Sequence, residues 1–191
     1  MQYNLWHIDD DRKLKPGRTD LSKKKREIRQ LLSIYDGPMN RIGDEVNALS
    51  KEWWKKGVKN GMANVLAKNT YNFLRHECHA HSGNCLWSTF SSMKKKCWIN
   101  GFASGFCACN ARATNEYKNR EYLAYLVNVY EHPYVVKWFA QHGAPLDQDA
   151  FALSQLLQWI WRSAIRDNKP VKLYLPSKRM RRILLDWLED K

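Results

Sequence analysis

The residues best suited to chemistry in this sequence are a glutamine and two arginines at four-residue intervals. Gln158, Arg162 and Arg166 would share one stripe of a helix, because residues four apart lie one above another. Trp159 and Trp161 flank the stripe. Two guanidinium groups one turn apart suit a bidentate grip on phosphate, since each is a planar set of donors that stays charged. The alternative is a solvated edge of a core helix, with both arginines paired to carboxylates.

Positive charge is concentrated after this stripe. The chain has 191 residues and a formal net charge of +13, from 32 basic and 19 acidic residues. Between Arg162 and Arg182, eight residues are basic and Asp167 alone is acidic. Such a balance indicates a polyanionic partner, and nucleic acid is the commonest polyanion in a cell. The candidate phosphate contacts at the end of this segment are Lys178, Arg179, Arg181 and Arg182.

Composition favours a protein of the cytoplasm. A hydrophobic fraction of 44% is enough to fill the core of one domain. The sequence contains no run of about 18 apolar residues, so we expect no membrane partner. Residues 1–6 lack a charged segment followed by an apolar one, and the sequence therefore predicts no secretory signal. Five cysteines without regular spacing indicate reduced thiols.

One stretch rich in cysteine and histidine has the residue types of a metal site. Cys78, His81, Cys85 and Cys97 are four candidate ligands of the kinds that zinc prefers. Their spacing fits no standard zinc knuckle, and the gap between Cys78 and Cys85 is wide. The sequence therefore favours a polar helix end and loop, with no metal cofactor.

The hydrophobic pattern predicts the elements that must position these groups. Up to about residue 80 the period is helical, with predicted helices over about 20–35, 39–57 and 62–75. Later in the chain, strands alternate with helices, which is typical of a parallel α/β layer. The elements predicted there are a buried strand over 101–109, helices over 123–130 and 133–142, a helix over about 148–166 that Asp147 or Asp149 caps, a strand over 169–176, and a helix capped by Ser177.

These elements give an α/β fold that is helix-rich overall. We expect a polar lead-in over residues 1–20, a helical extension over 21–85 and a parallel α/β domain over 86–191. Between the predicted strand over 101–109 and the next helix lies a polar turn that contains Arg112, Thr114 and Asn115. Side chains at the carboxyl end of a strand in such a sheet are where ligands bind. The alternative is that Thr114 or Asn115 caps the helix that follows.

Several stretches resemble the C-terminal region of helicase-related proteins of phages and mobile elements. In superfamily 2 helicases the second RecA-like domain carries a motif V, rich in small residues and Thr, and a motif VI of one Gln and two Arg. The resemblance implies a RecA-like domain in which residues 110–115 form motif V. It also implies that Gln158, Arg162 and Arg166 form motif VI, although Arg166 stands one residue later than usual. The resembling stretches are 110–115, 123–125, 152–154, 158–166 and 174–181.

The other half of a helicase ATPase is absent from this sequence. There is no Gly-x-x-x-x-Gly-Lys-Ser/Thr loop and no acidic pair on a strand to hold magnesium. We therefore expect no enzymatic activity from the chain on its own, and no cofactor. ATP would be a cofactor only of a longer parent chain to which this one supplies the arginine-finger half.

Two functions are compatible with these features. The first is a nucleic-acid-binding protein of phage or mobile-element origin, a helicase-like module whose partner is DNA or RNA. The second is a standalone interaction protein of the same origin that inhibits a host defence system, as an anti-CRISPR protein does. Its partner would be a host protein or ribonucleoprotein.

Overall fold

A sheet of four short parallel strands lies at the centre of the fold. The computed structural model describes residues 6–8, 14–16, 21–97, 99–111 and 116–190. The sheet strands are β3 (Leu32–Ile34), β4 (Cys85–Ser88), β5 (Tyr122–Tyr125) and β6 (Val171–Tyr174), in the order β3-β6-β5-β4. Every neighbouring pair in this sheet is parallel. Strands β1 (Trp6–Ile8) and β2 (Leu14–Pro16) form a separate antiparallel pair.

Helices cover both faces of the sheet. They are α1 (Ser22–Leu31), α2 (Lys51–Lys59), α3 (Met62–Asn72), α4 (Pro133–Gln141), α5 (Gln148–Ile160) and α6 (Lys178–Leu188). Successive side chains of a strand point to opposite faces. Leu123 and Leu173 therefore lie in one buried cluster, with side chains of α1, α5 and α6. Ala124 and Tyr174 lie in a second cluster, with side chains of α2 and α3. The predicted helix-rich α/β fold with a parallel sheet is confirmed.

Elements with local signals in the sequence are confirmed as well. Helix α4 has a proline in its first turn, as expected for a residue without an N–H. Asp147 caps α5, since its Oδ1 accepts from the backbone N–H groups of Asp149 (2.9 Å) and Ala150 (3.0 Å). Ser177 caps α6 through its Oγ, which accepts from Met180 N at 3.4 Å.

The helix predicted over residues 123–130 is wrong, because this segment is strand β5 and its exit. Every side chain from Leu123 to Asn128 is buried, since helices or loops cover both faces. A strand buried on both faces reads as a continuous apolar run, and its period cannot be distinguished from that of a buried helix.

The strand predicted over residues 101–109 is also wrong. This segment contains a 3₁₀ turn at Ala103–Gly105 and one isolated parallel bridge, between Trp87 and Phe106. Strand β4 occupies the edge of the sheet instead. Gly105 lies so close to β4 that a Cβ there would stand 2.5 Å from the Cys85 carbonyl oxygen. The small residues that suggested a strand therefore allow this segment to pack closely against strand β4.

The first 80 residues are not all helical. Helix α1 ends at Leu31 rather than Tyr35, and Leu32–Ile34 form strand β3, which pairs with β6. The helix predicted over 39–57 begins only at Lys51 and passes through Gly57, and a 3₁₀ helix covers Pro38–Gly43. Residues on both sides of the predicted boundary at 85 therefore contribute strands to the same sheet.

Candidate functional site

The stripe of Gln158, Arg162 and Arg166 is broken by the end of a helix. Helix α5 ends at Ile160, and Arg166 lies in a separate 3₁₀ helix over Ala164–Asp167. The three side chains therefore do not share one helix face, which corrects the prediction. Arg162 lies in the turn that joins the two helices.

Gln158 and Arg162 nevertheless meet at a groove of about 510 Å³. The groove is bounded by α1, the end of α5, the turn after it and α6. Its apolar lining consists of Ile28, Leu32, Leu157, Ile160 and Ile165. The larger or polar side chains that line it are Lys24, Gln158, Trp161, Arg162 and Trp187. We call this feature the tryptophan groove.

Two lysines of α1 lie over the tryptophans of this groove. Lys24 Nζ is 4.9 Å from the ring centre of Trp161, and Lys25 Nζ is 5.3 Å from that of Trp187. Such contacts are attractive because the face of an aromatic ring is electron-rich. Lys24 also pairs with Glu27 (3.3 Å) and Lys25 with Asp190. The first ion pair lies within α1, and the second holds α1 beside the end of α6.

Arg162 connects the groove to the polar turn singled out in the sequence. Its Nη2 donates to the carbonyl oxygen of Ala111, the residue directly before Arg112. Burial raises the pKa of the nearby Cys107 thiol, and the Arg162 guanidinium partly offsets that rise. The candidate residues Arg112, Thr114 and Asn115 themselves lie outside the described residues.

The arginines of α6 lie at the other end of α5, near its first turn. Arg179 donates five hydrogen bonds of 2.7–3.0 Å to acceptors of the chain. Its guanidinium also lies 4.2 Å from the ring centre of Tyr130, and only 11% of its side chain is exposed. The five bonds go to Asp149 Oδ1 (twice), Asn128 Oδ1 and the carbonyl oxygens of Val129 and Gln148.

The neighbours of Arg179 are engaged in a similar way. Arg181 donates to the carbonyl oxygens of Leu175 and Pro176, both at 2.8 Å. Arg182 donates to Asp149 (2.6 Å) and Asp186 (3.1 Å). Lys178 is exposed.

The structure therefore does not bring the two groups of predicted site residues together. Burial raises the pKa of Asp149, but its hydrogen bonds and charge interactions with Arg182 and Arg179 outweigh that effect and lower it. Asp149 is thus an ionised partner for both arginines. Asp149, which marks the position of these arginines, lies thirteen positions before Arg162 in the sequence. At the rise of an α-helix this corresponds to about 20 Å, so the α6 arginines lie far from the groove.

The crevice where such sheets usually bind ligands is filled by the chain itself. Ligands bind where neighbouring strands exit to opposite faces, and here β3 leads to the α2–α3 face while β6 leads to α6. Gly43 lies there against the backbone of Pro176, with no space for a Cβ. Tyr174 Oη donates to the Met39 carbonyl oxygen at 2.8 Å and closes the same region. No pattern in the sequence indicates this contact, because Gly43 carries no chemical signal of its own.

Comparison with known proteins identifies the family. Residues 26–188 match the family described as the YonV C-terminal Rossmann-like domain. The chain belongs to this family. It is 38% identical to the SPbeta prophage-derived protein YonV of Bacillus subtilis (strain 168) over an alignment of 195 residues. The alignment covers 100% of this chain and 47% of YonV. The chain thus spans about half the length of this curated relative, and no solved structure matches it.

The comparison confirms one part of the resemblance seen in the sequence. The chain is a Rossmann-like domain of a phage-derived family. The relation to helicases stays a prediction. The residues that match the family include every described residue that lines the tryptophan groove except Lys24. Within the part of the chain that the structure describes, no helix is long and apolar enough to cross a bilayer.

The candidate zinc ligands are not gathered into a site. Among the described residues, no group of three or more His, Cys, Asp or Glu side chains lies in position to hold a metal ion. Cys78, Cys85 and Cys97 are buried, whereas His81 is exposed. Burial raises the pKa of the Cys78 thiol to about 11 and those of Cys85 and Cys97 to about 12.

These thiols are expected to resist alkylation in the folded domain. Since the thiolate is the reactive form, iodoacetamide at pH 8 should modify Cys78, Cys85 and Cys97 on the order of 10²-fold more slowly than in the unfolded chain. Peptide mass spectrometry after timed quenching gives the rate for each cysteine. The same chain in denaturant is the control, and equal rates in both states would contradict the prediction.

Proposed function

We propose that this Rossmann-like domain binds nucleic acid, DNA or RNA, through the tryptophan groove and the two cations that line it, Lys24 and Arg162. The observation that supports the proposal is that Trp161, Gln158 and Arg162 line one groove together with Lys24 of α1. Lysine and arginine neutralise phosphates, while exposed tryptophan stacks on bases. The host cytoplasm is the expected location.

A helicase-like origin of the groove is part of this proposal. The hydrogen bond from Arg162 to Ala111 joins the two stretches that the resemblance assigns to motifs V and VI. In this proposal the chain alone binds nucleic acid without hydrolysing ATP. Hydrolysis would require an ATP-binding half, supplied by a longer chain or by a partner.

The affinity for oligonucleotides is expected to fall with salt concentration, but less steeply than the number of basic residues after Arg162 suggests. Arg179, Arg181 and Arg182 donate to acceptors within the chain, which leaves fewer cations for phosphate. With about four phosphate contacts, the affinity should fall on the order of 10²-fold between about 50 and 200 mM salt. Fluorescence anisotropy with labelled oligonucleotides measures the slope. Failure to bind any oligonucleotide at the lower salt concentration would overturn the proposal.

Arg162→Ala is expected to weaken oligonucleotide binding about 10-fold, the effect of one charge-assisted hydrogen bond. The unfolding free energy should fall by only about 1 kcal/mol, since the partner in the chain is a neutral carbonyl group. Arg182→Ala is the matched control, because it removes the same charge beyond the other end of α5. Equal losses of affinity in both variants would show that binding follows net charge and not the groove.

The second candidate function, inhibition of a host defence system, is supported by a different surface. None of the residues of α4 is buried, and Tyr134 and Trp138 are 78% and 55% exposed. Exposed aromatic clusters are typical of protein-binding surfaces. Because α4 does not line the groove, Trp138→Ser should leave oligonucleotide affinity unchanged. If expression of the chain protected a phage from host defence and Trp138→Ser abolished that protection, the second function would be favoured.

A further inference from the structure

We infer that the tryptophan groove takes an unpaired nucleobase, so that the domain prefers single-stranded to double-stranded nucleic acid. The inference rests on the proposed function and names the form of nucleic acid that the same site recognises. It follows from the apolar lining, the charge at the rim and the position of the two tryptophans.

The lining decides which part of a nucleic acid can enter. Five aliphatic side chains cover the groove between the helices: Ile28, Leu32, Leu157, Ile160 and Ile165. A phosphate group would lose its hydration against such a surface without compensation. The flat face of a base is apolar and loses little there. A volume of about 510 Å³ also lies within the range of small-molecule sites, which is enough volume for one nucleoside.

The rim supplies what the rest of a nucleotide needs. Among the described residues, ten line the groove; none of these is acidic, and both charged ones, Lys24 and Arg162, are cations. Lys24 Nζ lies 4.9 Å from the Trp161 ring centre and 3.3 Å from Glu27. In the proposed complex, its flexible stem lets the ammonium group turn from these partners towards a backbone phosphate. Gln158 is exposed and offers an amide donor and an acceptor to the edge of a base.

The tryptophans make the site selective for unpaired bases. Trp161 is partly exposed at the groove, and Trp187 lines it as well. A base within a duplex is stacked and paired, so its faces are not free to meet an aromatic ring. A single strand presents every base to such a surface, and stacking tolerates any base because each has a π face.

The test compares three labelled ligands of the same length, at about 50 mM salt to preserve phosphate contacts. They are a single-stranded oligonucleotide, its duplex, and an abasic strand that keeps the phosphates but lacks the bases. The intact chain should bind the single strand at least about 10-fold more tightly than the duplex or the abasic strand. Trp161→Ala should reduce this preference to near one and leave duplex affinity unchanged.

Two further variants guard against a folding artefact. Trp161→Phe keeps an aromatic ring and should retain part of the preference, while Trp138→Ala removes an exposed tryptophan of α4 and should retain all of it. Thermal melts show whether each variant is folded. If Trp161→Ala were unfolded, Gln158→Ala, at an exposed position, should still weaken single-strand binding and leave the duplex unaffected.

The possible results separate this inference from the proposed function. Equal binding of all three ligands, or equal losses for all three in Trp161→Ala, would overturn the inference and leave nucleic-acid binding standing. Binding of none of them would overturn both. A poly-glutamate peptide that bound more tightly than the single strand, with the same dependence on Trp161, would indicate an acidic protein partner and overturn the inference.

Discussion

Replacement of Arg179 by alanine is expected to lower the free energy of unfolding by about 3–5 kcal/mol, the combined cost of removing the donor from several partly buried acceptors. The guanidinium donates five hydrogen bonds and has only 11% of its side chain exposed. Its loss would leave the Asp149 carboxylate and the carbonyl oxygens of Val129 and Gln148 without these donors. Urea unfolding, followed by far-ultraviolet circular dichroism, measures the change.

Two further variants show whether the loss of stability in Arg179→Ala comes from the lost charge or from the lost arrangement of donors. Arg182→Ala removes a second partner of Asp149, but the Arg182 side chain is 55% exposed. Its loss should therefore cost about 1 kcal/mol or less. Arg179→Lys keeps the charge and loses the planar set of donors, so it should remain strongly destabilised. If Arg179→Ala were as stable as the unmodified chain and bound nucleic acid weakly, Arg179 would be the phosphate contact that the sequence predicted.

Arg179 shows why basic residues counted in a sequence do not locate a binding surface. Its acceptors come from residues 128–149, at least 30 positions earlier in the chain. No local pattern indicates such a pairing. The run of charge from Arg162 to Arg182 therefore contains both arginines that serve the fold and cations that are exposed. Only tertiary contacts distinguish the two kinds.

The parts of the fold that the sequence predicted correctly depend on local chemistry. Asp147 and Ser177 cap helices because their side chains reach N–H groups two or three residues later. Strand β6 alternates buried and exposed positions at its start, so its period was visible. Strand β5 lacks that alternation, and β3 has only three residues. Both of these strands depend on partners distant in sequence.

The candidate site was predictable only in part for the same reason. Gln158, Trp161 and Arg162 lie close together in the sequence, and their residue types indicated phosphate and base contacts. Lys24 and Ile28, which complete the groove, stand at least 130 residues earlier. The sequence of α1 shows a run of basic residues over 23–26 beside apolar positions. This run does not indicate which helices α1 packs against.

Gly43→Ala is expected to destabilise the domain by about 3 kcal/mol, at the upper end of the range for overpacking. A Cβ at this position would overlap the Pro176 carbonyl group and stand 2.8 Å from the backbone nitrogen of Ser177. These are backbone atoms, which cannot rotate away as a side chain can. The Pro38–Gly43 turn would have to move away from β6, which would break the hydrogen bond from Tyr174 to Met39.

The control for this substitution is Gly83→Ala, since a Cβ at position 83 meets no atom within 4 Å. Its unfolding free energy should lie within about 0.5 kcal/mol of that of the unmodified chain. If Gly43→Ala were equally stable in urea unfolding, the turn could move away from Pro176 at little cost. The crevice at the ends of β3 and β6 would then be able to open, and a ligand could bind at the place usual for parallel sheets. A large loss of stability would instead mean that this crevice is core, which leaves the tryptophan groove as the site to test for binding.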